Sequence, residues 1–95
     1  MLAVSRALMS KPKLLMMDEP STGLSPIMVT MLGNIVQHIN RTGISVLLVE
    51  QNAEMALNVA NYGYVMERGR IALEGPARDL LRNEGVKAAY LGLLE

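Results

Sequence analysis

Ninety-five residues, about 10.4 kDa, bound a single small domain. Nine basic residues against nine acidic ones give zero net charge, so composition forces neither a nucleic-acid patch nor an acidic tail. Aromatics at 3%, with no Trp or Phe, offer no base-stacking platform, and no nucleic-acid partner is expected. The lack of Cys excludes disulfides and thiolate metal sites, and a single His cannot build a polyhistidine one.

Apolar residues at 51% and charged residues at 19% fit a packed chain, and eight Met residues predict an adaptable interior. No apolar run approaches the ~20 residues that cross a bilayer. Residues 1–6 carry a charge with no long apolar stretch behind it, so no leader is expected and the chain reads as cytoplasmic.

In chain order, Leu2, Ala3, Ala7 and Leu8 recur at helical spacing and predict a helix over 2–9. Lys11-Pro12-Lys13 breaks it, because proline cannot continue a helix and restricts its predecessor. Leu14-Leu15-Met16-Met17 is an unbroken apolar run, the pattern of a strand covered on both faces. Asp18-Glu19-Pro20 ends it, and residues 21–25, with Gly23 and several hydroxyls, predict a loop. Ser25-Pro26 is a helix start, and the helix runs to about Asn40. Ile27, Met28, Met31, Leu32, Ile35, Val36 and Ile39 form its apolar stripe, with Gly43 after its end. A second apolar strand over 44–49 completes a parallel βαβ unit.

Asn52 can cap a short helix with Ala53, Ala56, Val59 and Ala60 inward. Residues 64–67 and 70–74 flank Arg68-Gly69, a hairpin signature in which Gly69 supplies the positive φ. Gly75-Pro76 opens a last helical region around Leu80, Leu81, Val86, Ala89, Tyr90 and Leu91. The fold class is therefore α/β: a parallel βαβ unit, a hairpin and C-terminal helices.

The chemistry concentrates at Asp18 and Glu19. Ligands of open parallel sheets bind at the carboxyl ends of strands, and these two acids stand at such an end. Phosphoryl transfer to water needs a carboxylate for Mg²⁺ and a second polar group to orient the water. Two consecutive acids supply both. A buried strand that merely stops at an acidic turn has the same local pattern.

The longer string decides between them. Residues 14–24, LLMMDEPSTGL, resemble the Walker B and D-loop run of ATP-binding-cassette (ABC) ATPases. Ser5-Arg6-Ala7-Leu8 is similar to the helix after that family's signature loop, and Met66-Glu67-Arg68-Gly69-Arg70 is similar to its hairpin turn. Leu47-Leu48-Val49-Glu50-Gln51-Asn52 and Ala89-Tyr90-Leu91-Gly92 resemble the ATP-binding subunits of bacterial branched-chain amino acid importers.

The resemblance implies a portion of a P-loop NTPase core working with ATP and Mg²⁺. It makes Asp18 the acid that reaches Mg²⁺ through water, and Glu19 the carboxylate that polarises the hydrolytic water. Ser21, Gly23, Leu24 and Ser25 fall in the D-loop, which touches the partner subunit across the nucleotide. Gln51 takes the switch position near the γ-phosphate. Implied partners are a second nucleotide-binding subunit, permease subunits and, indirectly, a periplasmic or extracellular solute-binding protein. The implied location is peripheral, on the cytoplasmic face of the bacterial inner membrane. The solute itself is selected by other subunits and is not encoded here.

Two residues depart from the family pattern. The switch residue is usually His; a Gln amide can donate to a phosphate oxygen and accept from water, but cannot take up a proton near neutral pH. Ser25 stands where many members carry Asp. No G-x-x-x-x-G-K-[ST] phosphate loop occurs in the sequence. Signature and glutamine loops are missing as well. Residues 1–95 therefore read as the C-terminal portion of one nucleotide-binding domain, with Met1 an internal methionine of a longer protein. Alone, that portion is expected to be inactive, and poorly soluble or oligomeric through unpaired sheet edges and bare apolar faces.

A soluble ABC ATPase outside transport and a catalytically silent interaction fragment are the competing functions. Arg6 in its short helix reads as a surface or structural ion pair, and His38 as a boundary or surface residue. Met16, Met17, Met28 and Met31 read as core filler. Tyr62 and Tyr64 pack on the hairpin with hydroxyls outward, and Arg68 and Arg70 are solvated.

Overall fold

The computed structural model describes residues 13–91. Strand β1 spans Leu14–Asp18, helix α1 Pro26–Arg41, strand β2 Ser45–Val49 and helix α2 Ala53–Val59. Strands β3 (Tyr62–Glu67) and β4 (Arg70–Pro76) come after them. Helix α3 (Ala77–Arg82) and the short α4 (Glu84–Val86) are next, and the chain continues through a π turn over Lys87–Leu91. The predicted helix over 2–9, the Pro12 break and Gly92 lie outside the described residues. The chain forms two compact units, Met1–Glu50 and Gln51–Glu95.

In the first unit β1 and β2 pair in parallel, Leu14 opposite Ser45 through Asp18 opposite Val49. Helix α1 runs against β2. Leu15 and Met17 are buried from β1, and Leu32, Gly33, Val36 and Ile39 from α1. This is the expected βαβ unit, with one correction. The strands are covered on one face, not two: Leu14, Met16, Leu47 and Val49, which share the other face by register, are 45–68% exposed. Among the described residues one helix, α1, lies against this sheet, and the apolar run is buried at alternate positions.

Burial also corrects the methionines and the helix stripe. Met17 is core, whereas Met16, Met28 and Met31 are exposed, as is Ile27 at the start of α1. The stripe is buried only where α1 passes over the sheet, at Leu32, Val36 and Ile39.

The second unit gathers Leu57, Ala77, Leu80 and Val86 into one cluster, with Ala60, Val65, Leu81 and Leu91 against it. Helix α2 begins as expected, Asn52 Oδ1 accepting the Met55 N–H at 3.1 Å. Its inward face is different: Met55 and Leu57 are buried, while Ala53, Ala56 and Val59 are half-buried. Leu57 is the α2 residue in that cluster, and Ala60, just after the helix, packs against it as expected.

The hairpin is longer than its sequence signature, and its two-residue turn has positive φ at both Arg68 (52°) and Gly69 (76°). Such a turn matches the twist of antiparallel strands. Val65 pairs with Leu73 and Met66 with Ile71, leaving Ala72 as the extra residue of a bulge. One face packs inward through Gly63 and Val65. A Cβ at Gly63 would lie 2.8 Å from Leu80 Cδ1 and 3.0 Å from Leu57 Cδ2, so a larger residue here would need these leucine methyls to move. The other face exposes Tyr62 and Tyr64, edge to face at 5.2 Å. Tyr62 donates its hydroxyl to Glu74 Oε2 at 3.1 Å, and Tyr90 donates to Glu67. His38, Arg68 and Arg70 are exposed, as expected. Among the described residues no helix is long and apolar enough to cross a membrane.

Leu32, 2% exposed, is the largest fully buried side chain among the described residues. Leu32→Ala should cost about 3 kcal/mol, read by urea denaturation. Ile27→Ala, at a side chain 76% exposed, should change stability by less than about 0.5 kcal/mol.

The hydrogen bond to Glu74 holds the Tyr62 proton and raises its pKa, as the bond to Glu67 does for Tyr90. Because both values are raised on folding, the stability they contribute is fully present below the unfolded-state pKa of about 10 and disappears as pH rises through the folded-state value. Spectrophotometric titration of Glu74→Gln should return one tyrosine toward its ordinary value.

Candidate functional site

Alternation along β1 sets the site. Leu15 and Met17 anchor the strand in the core, and Asp18, its last residue, falls on the exposed face. Glu19 then leaves the strand with φ 47°, a left-handed conformation that costs a residue with a Cβ about 1–2 kcal/mol. Its N–H donates to the Val49 carbonyl at 2.6 Å, a short bond to the last residue of β2 that holds the turn in place. The exit of β1 is thus fastened to the exit of β2, the carboxyl edge where parallel sheets place their ligands.

From there the chain folds back on itself. The Thr22 N–H donates to the Glu19 carbonyl at 3.2 Å, and the Leu24 N–H to the Ser21 carbonyl at 3.0 Å. Gly23, with φ 79°, supplies the left-handed residue that the bend needs. Ser21 is buried at 9% exposure, and its N–H donates to Glu50 Oε2 at 3.2 Å. Ser25 accepts the Met28 N–H at 3.3 Å and caps α1, with Pro26 as its first residue. The departure from Asp at position 25 therefore leaves the helix start intact.

The first unit brings Asp18, Glu19 and residues 21–25 together at one sheet edge, and it adds Glu50. Gln51 is exposed and begins the second unit, directly after Glu50 in the chain. Arg6 lies outside the described residues. Glu50 has no role that its residue type or spacing announces. Its one legible signal is position, an acid at the exit of a strand parallel to β1 and in register with it.

Among the described residues, no three His, Cys, Asp or Glu side chains are grouped to hold a metal by themselves. Mg²⁺ does not need such a cage. It binds through one or two carboxylates and completes its shell with phosphate oxygens and waters. The exposed hard oxygens of Asp18, at the rigid end of a paired strand, fit that mode. In the second unit a cavity of about 210 Å³ is lined by Val65, Leu73, Val86 and Tyr90, and it contains none of the predicted site residues.

No family model matches the chain. Over 92 residues it is 52% identical to the high-affinity branched-chain amino acid transport ATP-binding protein BraG of Pseudomonas aeruginosa, a match that covers 97% of this chain and 40% of that protein. It is 34% identical over 89 residues to the lipopolysaccharide export system ATP-binding protein LptB of Escherichia coli, covering 94% of this chain and 37% of that protein. Among solved structures, the ADP conformation of MJ1267, an ATP-binding cassette of an ABC transporter, superimposes with a TM-score of 0.78 at 33% identity, covering 94% of this chain and 37% of that one. The chain's homologues are thus ABC transporter ATP-binding proteins, and its α/β fold is that of part of their ATPase domain. The chain spans about two fifths of the length of the relatives it matches.

Ser25→Ala should remove about 1 kcal/mol of stability by stripping the cap from α1, whereas Ser25→Asp should preserve it, since either oxygen can accept the Met28 N–H. Thermal unfolding of the two variants beside the parent measures the difference.

Proposed function

We propose that this homologue of ABC transporter ATP-binding proteins carries the magnesium- and water-handling part of an ATPase site, in a subunit that energises import of branched-chain amino acids. In this reading the chain is the C-terminal portion of one nucleotide-binding domain. The observation that carries it is the fastened carboxyl edge: Asp18 ends β1 opposite Val49, and Glu19 is held there by its own N–H. The 52% identity to BraG, against 34% to LptB, favours amino acid import over lipopolysaccharide export.

Each residue then has a stated task. Asp18 would hold Mg²⁺, which when bound would supply neutralisation of phosphate charge. The Glu19 carboxylate accepts a hydrogen bond from the attacking water and orients it toward the γ-phosphate. Gln51 donates its amide N–H to a phosphate oxygen, a task that needs position rather than a titrating proton. Ser21, Gly23, Leu24 and Ser25 present the D-loop to a second nucleotide-binding subunit across the nucleotide. Permease subunits couple hydrolysis to transport, and a solute-binding protein outside the membrane acts through them. The subunit sits peripherally on the cytoplasmic face of the membrane.

In the complete ATP-binding protein, Glu19→Gln should lower ATP hydrolysis by at least about 100-fold while ATP binding persists. Hydrolysis within a few-fold of the parent would end the assignment. The pH–rate profiles of the parent and of Gln51→Ala should show no group near 6.5 that is lost with the side chain. The 95 residues alone should bind Mg-ATP more weakly than about 1 mM in a calorimeter, because no phosphate loop is present in them. Deleting the gene should reduce uptake of leucine, isoleucine and valine. Unchanged uptake of all three would remove the solute assignment and leave the ATPase assignment in place.

A further inference from the structure

We infer that Glu50 is a positioning residue: its carboxylate ties the start of the 20–24 turn to the exit of β2 and so fixes where Glu19 stands. All the contacts involved lie within the first unit. Glu19 adopts left-handed backbone, an uphill conformation for a residue with a Cβ. Such a conformation persists when its surroundings over-determine it. On one side of Glu19 the restraint is backbone to backbone, its N–H on the Val49 carbonyl. On the other side it is a side chain, Glu50 Oε2 accepting the Ser21 N–H at 3.2 Å.

Two features make that second restraint more than an incidental contact. Ser21 is among the buried residues, so its N–H has little access to solvent and needs a protein acceptor. A carboxylate accepting a backbone N–H forms a charge-assisted bond, stronger than a neutral pair. Moreover, Ser21 and Glu50 are 29 residues apart in sequence, and the bond joins the segment after β1 to the segment after β2. Together the Val49 and Glu50 contacts clamp Glu19 from both ends, so a change at residue 50 is felt as a displacement of the Glu19 carboxylate. Chemistry at a reacting centre is sensitive to such shifts, with ~1 Å costing about 100-fold in rate.

This role rests on the ATPase reading for its kinetic consequence, but not for the tether itself. The test therefore uses two readouts on the complete ATP-binding protein: hydrogen exchange at the Ser21 amide, and steady-state ATP hydrolysis. Glu50→Ala should speed Ser21 exchange by about tenfold or more, the loss expected for one hydrogen bond to a charged acceptor. It should lower kcat by about tenfold while KM for ATP stays within about twofold, since binding groups are untouched. Glu50→Gln retains an oxygen acceptor and should recover most of both effects. Unchanged exchange in Glu50→Ala overturns the tether, as does a Gln variant as impaired as Ala in both readouts. Faster exchange with unchanged kcat overturns the positioning role. If the parent hydrolyses no ATP while Glu50→Ala still speeds exchange and Gln restores it, the tether stands and the ATPase reading falls.

Discussion

The parallel pairing of β1 with β2 is the constraint on which the first unit rests. Because Asp18 lies opposite Val49, both strands finish at one edge, and the residues leaving β1 are brought beside those leaving β2. A slip of one residue would turn Leu15 and Met17 outward and carry Asp18 into the core. Burial of those two apolar side chains is thus what keeps the acid at the surface. The carboxylate edge is a by-product of hydrophobic register, held afterwards by the short Glu19–Val49 bond.

Much of this is legible in the residues. The capped start of α1 at Ser25-Pro26, the Asn52 cap and the Arg68-Gly69 turn each have a local cause, and local causes survive translation into structure. The parallel pair is implied by two apolar runs joined by one helix. Burial is less legible, because it depends on layers rather than on neighbours. Leu14, Met16, Leu47 and Val49 read as interior by composition, yet among the described residues nothing buries their face. The face of α2 departs in part from expectation: Met55 and Leu57 are buried and Ala53, Ala56 and Val59 half-buried, while Ala60 packs inward as expected.

At the site, residues 18–25 are recognisable because their order alone suggests strand, acid, turn and cap. Glu50 is not, because its partner is a backbone N–H 29 residues away, and a backbone donor has no sequence signature. The left-handed backbone at Glu19 is equally hidden, since Glu carries no propensity that announces it. The order of residues 18–25 also carries the resemblance to ABC ATPases. Homologues that match almost the whole chain with a common fold place that resemblance on firm ground.

Gly63 carries a consequence for how the second unit can vary. The Leu80 and Leu57 methyls stand 2.8 and 3.0 Å from where a Cβ would be, so these two leucines fill the space that a side chain on Gly63 would take. A side chain introduced there would require the Leu80 and Leu57 methyls to turn aside. Residue 63 and the two leucines therefore share one volume, and a larger residue at 63 would go with smaller ones at 57 or 80.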